Sequence, residues 1–284
     1  MTPVTAHVVA LVACAICGGP LAEAGGTLRC PAGHAFDVAR QGYASLLPGD
    51  APPGGDTAAM VAAREAFLSA GHYAPLAEAV AAAAVAASNG VPGAVVEVGA
   101  GPGAQLAMVL DRLPDRIGLA VDRSAAACRR AARAHPRMGA VVADVWRGIP
   151  VRDDAAAVVI DVFAPRNGAE MRRILHAGGA LVVASPTPRH LAELVEPLGL
   201  LEVDDRKEER IEAALGSGWR REAAVEVEAR LALPHADVEL LVAMGPSAWH
   251  ARGDEMAERI RALPDPAPTT LSATVATYRV ALGV

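Results

Sequence analysis

Aromatic side chains are scarce, making up 3 % of the 284 residues. That argues against a nucleic-acid platform of stacked aromatics and leaves alanine and valine to fill most of the core. Lysine is nearly absent: Lys207 is the only one, so positive charge is carried by arginine. Positive charge is also outnumbered, with 26 Lys and Arg against 32 Asp and Glu and a net charge of −6. A wholly basic, histone-like binder is excluded, although a local basic patch is not. Long apolar runs are missing too. The longest bland stretch, Ala77 to Ala87, carries Glu78 and falls short of the ~20 residues needed to span a membrane. Leu11-Val12-Ala13-Cys14 has the outline of a lipoprotein cleavage site, but no Lys or Arg precedes Cys14. The short apolar run Val8 to Ala13 therefore reads as a strand entering the next motif, and the chain as cytoplasmic with no membrane partner.

Apolar residues make up 52 % and charged residues 20 %, so a sizeable core is possible and global disorder is not expected. The length suits one large domain, or a medium one plus a small one. Three of the four cysteines fall early, as Cys14, Cys17 and Cys30, and His34 follows. The C-x2-C-x12-C-x3-H spacing lets two knuckles offer four ligands to one tetrahedral metal ion. Gly18, Gly19, Pro20, Pro31 and Gly33 supply the turns. Three thiols and one imidazole make a poor disulfide set. Cys14-Ala15-Ile16-Cys17 does not open a helix after a long strand, as a redox pair would. With all four positions filled by protein, a zinc ion here is structural. Cys128, in an Ala/Arg-rich helix, reads as a packed thiol.

From Val95 the pattern alternates strands and helices, which predicts an α/β fold with a parallel sheet covered on both faces. Strands are expected at 95–99, 118–122, 139–144, 156–163 and 180–185. Helices are expected at about 104–113, 124–134, 168–176 and 190–196. Late strand-like runs at 223–233 and 270–282 flank helices near 235–243 and 254–263. The first strand leads into Gly99-Ala100-Gly101-Pro102-Gly103, with Glu97 two residues ahead of the loop. A dinucleotide fold would prefer G-x-G-x-x-G, and an acid here would repel a pyrophosphate. It suits a ligand bearing an ammonium and a sulfonium. Asp122 ends the second strand, where a ribose-binding acid is expected. Asp144, with Val145 beside it, ends the third within reach of an adenine. Either Asp alone would pass for a strand-end turn residue. Together with Glu97 and the loop they describe an S-adenosylmethionine pocket.

The chain resembles the large-subunit rRNA guanine-N1 methyltransferases, most closely the actinomycete tylosin-resistance type. The resemblance runs from Cys14 to about Tyr278. It rests on the string Thr27 to Tyr43, Met60 to Arg64, Gly71 to Leu76, Val162 to Asn167 and Met244 to His250. It implies a Rossmann-like, seven-stranded class I methyltransferase over residues 91–284. A zinc-binding module that recognises RNA would occupy 1–45, with a linker and helical segment over 46–90. It implies zinc on Cys14, Cys17, Cys30 and His34, and S-adenosylmethionine at Glu97, Gly99, Ala100, Gly101, Gly103, Asp122, Asp144 and Val145. It further implies a homodimer gripping a 23S rRNA hairpin, methyl transfer to N1 of a guanine, and macrolide resistance as a possible consequence.

Asp161 to Arg166 follows the fourth strand and should border the methyl group. Phe163 is a candidate to stack on the guanine and Arg166 to contact phosphate. Asp161 and His190 are candidate catalytic groups, against the alternatives of a backbone-bonded buried Asp and a helix N-terminal His. Phosphate contacts are offered by Arg129, Arg130, Arg133 and Arg137, by Arg172 and Arg173, by Arg206 and Lys207, by Arg220 and Arg221, and by Arg29 and Arg40 in the zinc module. The linker Pro48 to Asp56 is rich in Gly and Pro rather than basic. Two other classes remain. One is a natural-product methyltransferase that keeps the zinc module as scaffold. The other is a non-catalytic RNA binder, against which the intact cofactor set speaks.

Overall fold

The computed structural model describes residues 8–47, 54–204, 206–245 and 253–281. Most of the Pro48–Asp56 linker, the 246–250 part of the Met244–His250 string, and Leu282 lie outside them. Three short strands, β1 (Ala22–Ala24), β2 (Thr27–Arg29) and β3 (Ala35–Asp37), form an antiparallel ribbon at the N-terminus. The next strand, β4 (Tyr43–Ser45), leaves the ribbon and joins the main sheet. Two helices follow, α1 (Ala58–Ser69), capped by the Thr57 hydroxyl, and α2 (Ala74–Ser88). The alternating part comes next. It runs β5 (Ala94–Val98), α3 (Ala104–Arg112), β6 (Gly118–Asp122), α4 (Ala125–Ala134), β7 (Met138–Val142), β8 (Ala156–Val162), α5 (Gly168–Ile174) and β9 (Leu175–Pro186). The chain closes with α6 (Ala192–Leu198), α7 (Lys207–Leu215), β10 (Trp219–Leu233), α8 (His235–Met244), α9 (Gly253–Arg261) and β11 (Ala267–Val280).

The main sheet has eight strands in the order β10-β11-β9-β8-β5-β6-β7-β4. Strands β4 to β9 of this sheet pair in parallel, and β11 pairs antiparallel with both β9 and β10. Seven strands match the expectation; the eighth, β4, comes from the N-terminal segment. Central strands are buried on both faces, which is why they read as unbroken Val/Ala runs rather than alternating patterns. One face is packed by α1 to α4, α6, α8 and α9, the other by α5, α7 and the zinc module.

The segment Val8–Ala13 is not a strand. It makes a turn of helix over 8–11 and then single antiparallel bridges, Val12 to Val151 and Ala13 to Pro20. Val8 is buried against Gly139 of β7, where an added Cβ would lie 2.0 Å from its Cγ2. The glycine thus leaves room for a valine whose burial contributes roughly 1.5–3 kcal/mol. Asp144 lies beyond the end of β7 and caps a 3-10 turn over Val145–Arg147. Helix α7 was not foreseen, and β10 begins earlier than its apolar residues indicate because exposed Arg220 and Arg221 still pair with β11. No helix among the described residues is long and apolar enough to cross a membrane.

Candidate active site and metal centre

The metal centre follows from knuckle geometry. The ligand atoms of Cys14, Cys17, Cys30 and His34 all lie within 4.8 Å of one another. Cys17 Sγ is 3.7 Å from Cys30 Sγ, and His34 Nδ1 is 3.5 Å from Cys14 Sγ and 3.4 Å from Cys30 Sγ. With Zn–S near 2.3 Å and Zn–N near 2.0–2.1 Å, tetrahedral angles put sulfurs about 3.8 Å apart and sulfur about 3.6 Å from nitrogen. The cluster has the dimensions of a closed zinc site. Its ribbon is docked on the sheet: Ala13 N–H donates to Pro150 O at 3.1 Å and Arg152 N–H to Leu11 O at 2.9 Å.

A cavity of about 510 Å³ opens at the carboxyl ends of the central strands. Glu97, Gly99, Ala100, Gly101, Phe163 and His190 line it, together with Arg64 and Tyr73 from the first two helices. Gly99, Gly101 and Gly103 all have positive φ, at 67°, 54° and 82°. At Gly99 the need is twofold, because a Cβ would also lie 2.5 Å from that of Ala164. Glu97 shares a strand face with Val95, toward the helices α1 to α4, and is 2 % exposed. Its Oε2 accepts from Leu106 N–H at 3.1 Å. Burial, helped by the nearby charges of Asp122 and Asp161, pushes its carboxyl up to about 8.

Asp122, Asp144, Val145 and Gly103 are not in the cavity wall: Asp122 ends β6, Asp144 and Val145 follow β7, and Gly103 is the N-cap of α3. Asp122 accepts from Gly101 N–H at 2.8 Å and Ser124 N–H at 2.7 Å, which ties the loop to β6. Asp144 accepts from Trp146 N–H at 3.1 Å and pairs with Arg123 at 2.9 Å.

The three candidate catalytic residues separate. Phe163 is 39 % exposed at the cavity, with φ at 54°, a strained setting for an aromatic residue. Its ring centroid lies 5.4 Å from that of His190. His190 Nδ1 accepts from Ser272 N–H at 3.2 Å, which leaves the proton on Nε2 to donate to the Tyr73 hydroxyl oxygen at 3.1 Å. Both nitrogens are engaged, and burial lowers its pKa to about 4, so His190 is a poor base here. Asp161 shares a strand face with Val159, on the side opposite Glu97. It is fully buried and pairs with Arg166 at 2.9 Å. Neither residue of the pair is in the cavity wall, and Arg166 is turned inward, with 9 % of its surface exposed.

Several expected phosphate ligands are also committed internally. Arg130 pairs with Glu65, Arg137 donates to the carbonyls of Leu110, Leu113 and Arg116, and Arg173 pairs with Glu170 and Asp153. Arg29, Arg40, Arg129 and Arg133 are exposed. Sequence reasoning passed over Arg64 and Tyr73 as chemical groups. Arg64 pairs with Asp56, donates to Met244 O at 2.8 Å, and lies 3.5 Å from where a Cβ of Gly101 would stand. The one available signal was that both sit in the strings carrying the family resemblance.

A glycine loop beneath a cavity, a carboxyl at its floor and acids at the next two strand ends define a methyltransferase of Rossmann-like fold, here carrying a zinc ribbon. A solved structure assigned as a methyltransferase of Bacillus halodurans shares the fold with a TM-score of 0.51 at 13 % identity, covering 70 % of this chain and 97 % of that one. The zinc-ribbon family described as "RlmA, N-terminal" matches residues 12–51. A Streptomyces fradiae protein named 23S rRNA (guanine(748)-N(1))-methyltransferase is 49 % identical over 274 residues, spanning 96 % of this chain and 98 % of its own. A Micromonospora griseorubida protein assigned as a 23S rRNA (guanine-N(1)-)-methyltransferase is 48 % identical over 283 residues, spanning 94 % and 96 %. The chain belongs to the 23S rRNA guanine-N1-methyltransferase family.

Proposed function

We propose that this enzyme methylates N1 of a guanine in a 23S rRNA hairpin loop, with S-adenosylmethionine as donor and zinc as a structural ion. The observation that carries the reading is one cavity with Glu97 and the glycine loop on its floor and exposed Phe163 at its side, in a sheet onto which the zinc ribbon docks. The donor supplies a methyl group already bonded to a positively charged sulfur leaving group. The residues fit it. Gly99 to Gly103 offer backbone without Cβ, Glu97 a carboxyl for the ammonium, Asp122 acceptors for the ribose, Asp144 and Val145 an edge for the adenine. Arg64 is the cation beside the loop for the donor's carboxylate.

N1 lies on the Watson–Crick edge, so the guanine must be unpaired or flipped out before it enters. Phe163 gives it an aromatic face. Among the described residues the cavity offers the guanine no free base near neutral pH: Glu97 is protonated in the ligand-free protein and, once ionised, is engaged by the donor's ammonium, and both His190 nitrogens are engaged. The chain's contribution is therefore placement, and the N1 proton passes to water that reaches the cavity. Residues 1–45 act as the RNA-gripping module, 46–90 as linker and helical roof, and 91–284 as the catalytic domain, working as a homodimer. The S. fradiae relative's name places its target at guanine 748, so the hairpin bearing that nucleotide is the first RNA to test. If the same loop is modified here, macrolide resistance is the expected phenotype.

The test incubates enzyme and labelled donor with the hairpin transcript beside a panel of metabolites. A methyl on N1 blocks pairing and should stop primer extension one nucleotide before the guanine. Label entering only a metabolite, with RNA untouched at high enzyme concentration, would instead mark a small-molecule enzyme that keeps the ribbon as scaffold.

A further inference from the structure

Trp146 is the most exposed aromatic side chain among the described residues, with 63 % of its surface open to solvent. Its backbone is held firmly. Its own N–H donates to Asp144 Oδ1 at 3.1 Å, the Asn167 side-chain amide donates to Val145 O at 3.0 Å, and Ile149 N–H donates to Glu170 Oε2 at 2.7 Å. Val145 and Ile149 on either side are buried. The turn is pinned from several directions while the indole faces water. A large apolar surface on a fixed backbone loses little conformational entropy when a partner covers it.

The position is as informative as the exposure. Just before the turn, Asp144 follows β7 at the same edge of the sheet as the glycine loop and Phe163. Just after it, Pro150 to Arg152 is the segment on which the zinc ribbon docks. Trp146 thus stands on the seam between ribbon and strand ends, next to exposed Arg147. An RNA that touches both the ribbon and the cavity has to cross this seam.

We propose that Trp146 is a nucleobase-stacking contact, taking the face of an RNA base other than the methylated guanine. The proposal rests on the rRNA reading above and deepens it by naming where the hairpin crosses. Stacking suits this residue because every base has a π-face, so the contact positions the hairpin without reading its sequence. The scarcity of aromatics argues against a platform, not against a single anchor.

The test compares wild type, Trp146→Ala and Trp146→Phe for hairpin affinity by anisotropy over a range of salt, for S-adenosylmethionine affinity by calorimetry, and for oligomeric state by sedimentation. Trp146→Ala should weaken hairpin binding about 5- to 150-fold, the range that loss of one stacked base implies. Its salt slope should stay unchanged, because no phosphate contact is lost. Trp146→Phe should keep most of the affinity, and cofactor binding should be the same in all three. Unchanged hairpin affinity in Trp146→Ala overturns the proposal. So does a loss confined to cofactor affinity, which would make the indole an adenine contact, or one confined to self-association. Failure of the wild type to bind the hairpin at all would remove the rRNA reading itself, and the stacking contact with it.

Discussion

Glu97→Gln should change how stability depends on pH, and the size of the change follows from burial. In the folded protein the carboxyl releases its proton only near pH 8, against an ordinary value of 4.5. Between those limits the native state holds a proton that the unfolded chain has lost. Stability from this group is therefore complete below about pH 4.5 and falls as pH rises through 8. At ~1.36 kcal/mol per pH unit, the interval is worth roughly 4–5 kcal/mol. Asp161 adds to the wild-type decline, because burial raises its carboxyl to about 7 despite Arg166. The variant keeps that share, so the difference between the two proteins isolates Glu97. Urea unfolding from about pH 5 to 9 should show wild type losing several kcal/mol relative to Glu97→Gln. Parallel curves would refute the argument, since they mean that Glu97 titrates as it does in the unfolded chain. The same proton should register in ligand binding. An ammonium beside Glu97 favours the carboxylate, so binding near pH 7 should release up to one proton from wild type and none from Glu97→Gln. Calorimetry in buffers of different ionisation heat reads that number directly.

Four further outcomes are expected. Cys30→Ala should abolish stoichiometric zinc and unfold the ribbon, because metal binding there is coupled to folding; a full zinc content by elemental measurement would contradict the ligand assignment. Asp122→Ala should weaken S-adenosylmethionine binding by about 1.5–3 kcal/mol, the value of charge-assisted hydrogen bonds, and unchanged calorimetric affinity would reject the ribose role. Arg166→Leu leaves Asp161 buried without its counter-charge, so its carboxyl should stay protonated to higher pH and the variant should lose more stability than wild type between about pH 7 and 9, an extra loss that an Asp161→Leu/Arg166→Leu double variant should not show. Identical pH dependence in the single variant and wild type would show that Arg166 does not set the charge of Asp161. Gly99→Ala should impair both cofactor affinity and turnover, since its Cβ meets Ala164 on the Phe163 loop; normal kinetics would mean that the loop yields freely.

What was legible in the sequence was local. Cys14, Cys17, Cys30 and His34 are set by two tight knuckles, and Gly99 to Gly103 by a single strand-to-helix turn, so spacing alone locates them. Asp122 ends its strand as anticipated, while Asp144 proves to be the cap of a short turn. Arg64 and Tyr73 reach the cavity only because α1 lies on α8, where His72 meets Asp237 at 2.8 Å, and no pattern within Ala58 to Ser88 signals that contact. Asp161 illustrates a different limit. Strand alternation puts it opposite Val158 and Ile160, but which face carries the cavity depends on where the helices settle. Arg166 belongs to the same lesson, since an arginine just past a strand end is equally able to turn out toward phosphate or back beneath the sheet.

The pairing of β4 with β7 makes the metal a guardian of solubility as well as of local shape. Tyr43–Ser45 occupies the outer hydrogen-bonding edge of β7, whose residues Met138 to Val142 are all buried. The ribbon that carries β4 into place is held by Cys14, Cys17, Cys30 and His34, all upstream of it in the chain. When a chelator or an oxidant takes the ion, the covering strand loses its anchor and an apolar edge lies open to pair with any other extended chain. Metal-starved cells would then be short of this enzyme through aggregation, even though none of the four ligands lines the cavity.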